Sequence, residues 1–172
     1  LFVLNFQTIF AQKKSITDKA VTIPSPYDYK ENEKYKGITV ETYYLEMRDG
    51  VKLAIDVYKP KGMKQGAKLP TLIHQTRYWR APELRWPFKM FSNGLLGRMG
   101  TFIKEVVKNG YVIVNVDARG SGASFGNRIH PWTEDETKDG AEIIDWILTH
   151  DWSNGKVGSL GVSYSGTTAE FL

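Results

Sequence analysis

Residues 155–166, Gly-Lys-Val-Gly-Ser-Leu-Gly-Val-Ser-Tyr-Ser-Gly, read as a short apolar strand running into a tight turn that holds Ser163 between small residues. This is the sequence form of a nucleophile elbow, in which the serine adopts a strained backbone conformation that exposes its hydroxyl. Residues two positions to either side must be small to avoid it, and Gly161 and Ser165 meet that requirement. The strict pattern is Gly-x-Ser-x-Gly; here Ser165 takes the second glycine's place and Gly166 comes one position later. A helix-like start from Thr167 to Leu172 completes the strand–turn–helix setting that the chemistry needs.

Working outward, Asn154-Gly155 is expected to turn the chain into the strand Val157 to Gly161. Before it, Thr133-Glu134-Asp135-Glu136 is a capping-box sequence, in which hydroxyl and carboxylate satisfy each other's orphan backbone donors. It opens a helix to about His150. Ala141, Ile144 and Leu148, with Ile143 and Ile147 beside them, give the helix an apolar face, and its acidic residues gather in the first turn.

Tyr111 to Val116 is a buried strand, and Phe102, Ile103, Val106 and Val107 have helical spacing closed by Asn109-Gly110. Leu69 to Gln75 is a short apolar strand followed by an irregular section from Thr76 to Gly100. Thr39 to Met47 and Val51 to Tyr58 flank Arg48-Asp49-Gly50, a hairpin signal. Two hairpin strands, then strand, helix, strand, helix and strand, make an α/β pattern with a mainly parallel sheet.

At 172 residues, with 41% hydrophobic and 13% aromatic content, the chain can bury one good core and is one globular unit or part of one. The net charge of +4 is uneven: Arg77, Arg80, Arg85, Lys89, Arg98 and Lys104 cluster, while Glu134 to Asp145 is acidic. This is not the balance of a general polyanion binder. Zero cysteines exclude disulfides, thiolate metal sites and a cysteine nucleophile.

Leu1 to Ala11 is an apolar run followed by Gln12, Lys13 and Lys14, too short to span a bilayer. Residues 1–12 read as the tail of a secretory signal, which implies export; the competing reading is a buried first strand or helix. Residues 13–37 are a polar segment, and 38–172 hold the α/β pattern.

With these pieces placed, the chain resembles the N-terminal part of the α/β-hydrolase catalytic domain of serine hydrolases grouped with cocaine esterase, α-amino-acid ester hydrolases and X-Pro dipeptidyl peptidases. The segments that carry the resemblance are Arg48 to Leu53 with Asp56-Val57-Tyr58, the strand ending near Tyr78, Gly110-Tyr111, Asp117 to Ser124, Asp139-Gly140 with Ile144 to Ile147, and Gly155 to Gly166. In this family the elbow reads Gly-x-Ser-Tyr-x-Gly, the form of residues 161–166.

The resemblance implies that Ser163 is the nucleophile, that the Tyr164 backbone N–H faces the oxyanion, and that the Tyr78 hydroxyl completes the oxyanion hole. Relatives carry this tyrosine in a Pro-Tyr pair, and here Arg77 stands in place of the proline. It implies no cofactor and an ester, amide or short-peptide substrate.

Hydrolases of this fold supply their triad in the order serine, acid, histidine. Only nine residues follow Ser163, none of them His or Asp, and His74, His130 and His150 all precede it. A serine without a base is a poor nucleophile, so the chain reads as an N-terminal fragment whose acid and base lie further on. The alternative is a non-catalytic α/β remnant or interaction module. His74 is expected in or at the end of a strand, His130 in a loop before Pro131, and His150 at a helix C-terminus that favours positive charge.

Gly120 to Gly126 is similar to a dinucleotide-binding loop, but the helix that should begin on its third glycine is delayed to about Thr133. A structural turn, with Asp117 and Arg119 holding loops, is the better reading. Arg77 to Phe91 interleaves cations with aromatic rings; its place after Tyr78 argues for a loop over the substrate mouth rather than a nucleic-acid surface.

Overall fold

Five strands take up the β-branched and aromatic runs: β1 (Ile38–Glu46), β2 (Lys52–Pro60), β3 (Leu69–Thr76), β4 (Val112–Asp117) and β5 (Ser153–Ser159). Between and after them lie α1 (Gly97–Lys108), α2 (Glu134–Leu148) and α3 (Tyr164–Phe171). This computed structural model describes residues 34–80 and 97–172.

The strands form one sheet in the order β1-β2-β4-β3-β5. The β1–β2 and β2–β4 pairings are antiparallel, and β4–β3 and β3–β5 are parallel. The Asp-Gly hairpin forms as the sequence indicates, with Met47 N–H donating to Val51 O at 2.8 Å and Gly50 N–H to Met47 O at 2.8 Å. Because each parallel strand must be re-entered from the same end, β3, β4 and β5 all release the chain at one edge of the sheet. In open α/β sheets that edge is where ligands bind.

Both faces of the sheet are covered. On one, Leu53, Ile55, Val57, Ile73, Val114 and Val116 meet Ile143 and Ile147 of α2 together with Trp152. On the other, Tyr58 and Ile113 meet Ile103 and Val107 of α1. Each such side chain contributes about 1.5–3 kcal/mol of burial free energy, so the two helices are fixed to the sheet chiefly by these stripes.

Three sequence expectations need correction. The core face of α2 is Glu136, Asp139, Gly140, Ile143 and Ile147, whereas Ala141 is exposed and Leu148 is 47% exposed. Two of the acidic residues face inward because Asp139 is paired with arginines and Glu136 accepts hydrogen bonds from Trp132 and Tyr164. β5 begins at Ser153 rather than Val157, since Asn154-Gly155 is absorbed into the strand where the β3 register shifts between Leu69 and Thr71. The helix after the elbow begins at Tyr164, three residues before Thr167.

The glycine-rich segment after β4 is a structural turn. The Asp117 carboxylate accepts from Ala123 N–H at 2.9 Å, from Arg80 N–H at 2.7 Å and from Arg80 Nη1 at 2.7 Å. Gly122 has φ +55°, and a Cβ there would collide with that carboxylate. Only glycine lets the loop close over Asp117.

Arg119 works on the opposite side of the loop. It donates to Asp139 through Nε at 2.9 Å and Nη2 at 2.5 Å, and to Asp49 through Nη1 at 2.5 Å. Arg48 meets the same Asp139 at 3.1 Å and also reaches Asp135 at 2.6 Å and Glu142 at 3.0 Å. The hairpin turn, the loop after β4 and the start of α2 are thus held by one chain of charges. Several of the motif residues that carry the family resemblance serve this scaffold.

Candidate active site

The site assembles at the edge where β3, β4 and β5 deliver their loops. β5 ends at Ser159, and Leu160 N–H still donates to Ile73 O at 3.0 Å, so the chain enters the elbow held against β3. Ser163 then adopts φ 60° and ψ −123° before α3 begins. For a residue with a Cβ this backbone costs on the order of 1–3 kcal/mol, and it persists because neighbours fix the turn.

Gly161 is one of them: a Cβ there would collide with the Ser165 carbonyl, whereas one at Gly166 would be 3.4 Å from its nearest neighbour. The close approach is therefore at Gly161. Ser165 tightens the same turn, its hydroxyl donating to Val162 O at 3.0 Å and accepting from Val162 N–H at 3.2 Å. A serine in the second glycine's place thus supplies two hydrogen bonds that glycine could not.

Tyr164 is the first residue of α3, so its N–H belongs to the first turn, where helical N–H groups lack intrahelical acceptors. Its side chain is buried, stacked on Trp132 at 5.1 Å between centroids. The hydroxyl donates to Glu136 and accepts from Arg128 Nη1 at 3.2 Å. Burial first, and the Glu136 carboxylate second, push the Tyr164 phenol up to about 12.

Glu136 completes the junction by accepting from Trp132 N–H at 3.0 Å. The capping box is therefore only half formed: Thr133 accepts from Glu136 N–H at 3.2 Å, while the Glu136 carboxylate turns to Trp132 and Tyr164.

Tyr78 follows β3 and is half exposed, with its ring edge-on to Tyr164 at 6.1 Å. Thr76 Oγ1 accepts from the Tyr78 N–H at 3.0 Å, which fixes the backbone as it leaves the strand. Hydrogen bonds from Arg77 first, and from Ser163 second, hold the Tyr78 phenol below its ordinary value. The Tyr78 phenol thus stands beside Ser163, with the Tyr164 ring edge-on to its own. Around them Trp79, Ile129 and Val162 are exposed, giving the rim an apolar character.

The three histidines are elsewhere. His74 is buried in β3, and burial lowers its affinity for a proton. His130 lies in the loop before Pro131, whose carbonyl is 3.0 Å from its Nδ1. His150 stacks on Trp152 and meets Trp146 edge-on. There, burial disfavours its charge, contrary to the expectation from its place just past α2. Sequence reasoning missed Glu136, Arg128 and Trp132 as supports of the site.

In the Arg77–Phe91 segment, both described cations are engaged by neighbours. Arg77 lies over the Tyr78 and Tyr164 rings, and Arg80 pairs with Asp56 at 3.0 Å and Asp117 at 2.7 Å. Arg85 and Lys89 lie outside the described residues.

The family model described as X-Pro dipeptidyl-peptidase (S15 family) matches residues 49–172. A Mycobacterium bovis protein named as a serine esterase is 48% identical over 143 residues, which make up 81% of this chain and 23% of that protein. Cocaine esterase of a Rhodococcus species is 36% identical over 124 residues, 72% of this chain and 19% of that one. Among solved structures, an α-amino acid ester hydrolase aligns with TM-score 0.60 and 27% identity over 90% of this chain and 25% of its own. A CocE/NonD family hydrolase from Staphylococcus aureus aligns with TM-score 0.57 and 29% identity over 76% and 24%. The chain spans a minor part of each relative's length.

Proposed function

Because this chain belongs to the X-Pro dipeptidyl-peptidase (S15) family, we propose that the intact protein cleaves an ester or amide bond through an acyl-enzyme on Ser163. The observation that carries the reading is the strained Ser163 backbone, φ 60° and ψ −123°, at the head of α3, with its hydroxyl beside the Tyr78 phenol.

In the proposed reaction, Ser163 Oγ forms a bond to the substrate carbonyl carbon as its proton passes to a histidine. The carbonyl π pair moves onto oxygen, where the Tyr164 N–H and Tyr78 hydroxyl donate to the oxyanion. Collapse re-forms the carbonyl and breaks the bond to the alcohol or amine, which leaves with the proton held by the histidine. Water then repeats the sequence in reverse roles and frees the acid. Donors fixed in advance are worth about 3 kcal/mol each in such sites.

We assign the histidine and the acid that orients it to sequence C-terminal to Leu172, following the order of this fold. Residues 38–172 are accordingly the N-terminal part of the catalytic domain. Export remains a proposal resting on the apolar run in residues 1–12, which lies outside the described residues. Among the described residues no helix is long and apolar enough to cross a membrane. The substrate is a small ester, an amide, a β-lactam or an X-Pro peptide, classes that the acyl pocket of the intact enzyme must separate.

Labelling of the full-length protein with a fluorophosphonate tests the assignment. Labelling abolished in Ser163→Ala is the expected result, and unchanged labelling in that variant would overturn it.

A further inference from the structure

Arg77 is the cation that relatives' Pro-Tyr pair leads one not to expect. Its Nη2 lies 3.4 Å from the Tyr78 hydroxyl, and its guanidinium carbon is 5.0 Å from the Tyr78 ring centroid and 5.1 Å from that of Tyr164. Two aromatic faces therefore clamp the group beside the phenol. Of the other arginines near this edge, Arg80 pairs with Asp56 and Asp117 and Arg119 with Asp49 and Asp139, while Arg128 bonds the Tyr164 hydroxyl rather than that of Tyr78. Arg77 meets no carboxylate at ion-pair distance among the described residues.

A phenol oxygen accepts through its lone pairs and donates its single proton. At Tyr78 the acceptor side is taken by Arg77. The proton is left for another partner. We propose that Arg77 is a positioning residue for Tyr78: its guanidinium occupies the phenol's acceptor side and turns the hydroxyl proton toward the oxyanion formed on the substrate of Ser163. This inference rests on the hydrolase reading above. The lowered proton affinity of the phenol, caused first by Arg77, agrees with it.

Charge-assisted hydrogen bonds of this kind contribute more than neutral ones, and their loss acts where the oxyanion develops. In the full-length protein, with p-nitrophenyl acetate as a neutral substrate, Arg77→Gln should lower kcat about tenfold and change KM by less than about twofold. Arg77→Lys should recover part of the loss, because the charge returns without the planar fork. In a Tyr78→Phe background, Arg77→Gln should change kcat by less than about twofold, since Arg77 acts through the missing hydroxyl. Additive losses would overturn the proposal. So would a loss confined to KM for an ester bearing a free carboxylate, the signature of an arginine that reads substrate charge.

A second measurement is independent of hydrolysis. With 3-fluorotyrosine at position 78, the 19F titration midpoint should rise when Arg77 becomes Gln, and an unchanged midpoint would overturn the contact. Failure of the hydrolase reading shows separately, as fluorophosphonate labelling that survives Ser163→Ala. Arg77 is exposed, and matched near-UV circular dichroism establishes that each variant is folded.

Discussion

The Tyr164 hydroxyl donates to the buried carboxylate of Glu136, tying the first residue of α3 to the first turn of α2. Because Tyr164 directly follows Ser163, this bond fixes one end of the elbow from outside the elbow's own turn. Glu136→Ala leaves the Tyr164 hydroxyl and Trp132 N–H without their acceptor inside the fold. We expect a loss of about 2–3 kcal/mol in urea unfolding of the full-length protein, with Glu136→Gln losing less because its amide oxygen still accepts. Equal losses would show that the acceptor is unimportant.

The same pair gives Tyr164 a pH signature. Its phenol has an ordinary value of 10.0 and is pushed up to about 12 in the fold. A group raised in this way contributes stability that is present below the unfolded value and is lost as pH rises through the folded one. The contribution should therefore fade between pH 10 and about 12. Absorbance titration at the phenolate band should show a late-ionising component that loses one tyrosine in Tyr164→Phe, while Tyr43, raised by its bond to Glu41, remains in it.

At Ser163 the backbone strain makes an unusual order of stability. Glycine ordinarily costs about 1 kcal/mol relative to alanine, yet at φ 60° and ψ −123° the alanine Cβ carries the strain. Ser163→Gly should therefore be more stable than Ser163→Ala by roughly 1 kcal/mol, with both unlabelled by a fluorophosphonate. Thermal unfolding of the two variants decides the point, and the opposite order would mean that the turn is relaxed.

Arg119 and Asp139 form a buried pair, with side chains 5% and 0% exposed. Removing Arg119 leaves the buried Asp139 carboxylate with Arg48 alone, at 3.1 Å, so Arg119→Ala should destabilise the protein by about 3 kcal/mol, the low end for a broken buried pair. Changing both residues at once should cost less than the sum of the single changes. Chemical denaturation of the single and double variants gives the coupling, and strict additivity would dissolve the pair.

His74 supplies an acid-side signature. Burial lowers its proton affinity below the ordinary value of 6.5, so between those values the unfolded chain binds more protons than the folded one. Stability then falls as pH drops through about 6.5 and continues to fall to the folded value. The urea midpoint should decline from pH 7.5 to 5.5, and His74→Gln should flatten that decline. His150 shares the direction, so the flattening is partial.

The fold was legible because its apolar runs have strand and helix periods and because an Asp-Gly turn and a helix-stopping Asn-Gly lie between them. The elbow was legible for a steric reason that the structure bears out at Gly161. The buried acids were harder to read, since Glu136 also fits a capping box and Asp139 stands in the acidic run from Glu134 to Asp145. Their signal was phase: Glu136, Asp139, Ile143 and Ile147 fall on one helical stripe. Acids in register with an apolar stripe are buried acids, and each requires a partner. That partner cannot be found from the local window, because Arg119 and Tyr164 come from other elements. The Asn154-Gly155 turn was misplaced for a related reason: pairing with β3 absorbs locally irregular backbone into a strand.

The direct pairing of β3 with β5 has a further meaning. Tyr78 and Ser163 are distant in sequence, yet each leaves one of two adjacent strands, so the spacing between them is set by a sheet register. The loop after β4 reaches the elbow differently, through the side chains of Arg128 and Trp132, which meet the Tyr164 ring and hydroxyl. Main-chain pairing thus sets the separation of the serine and the phenol, and side-chain packing from the loop sets the residue that follows the serine.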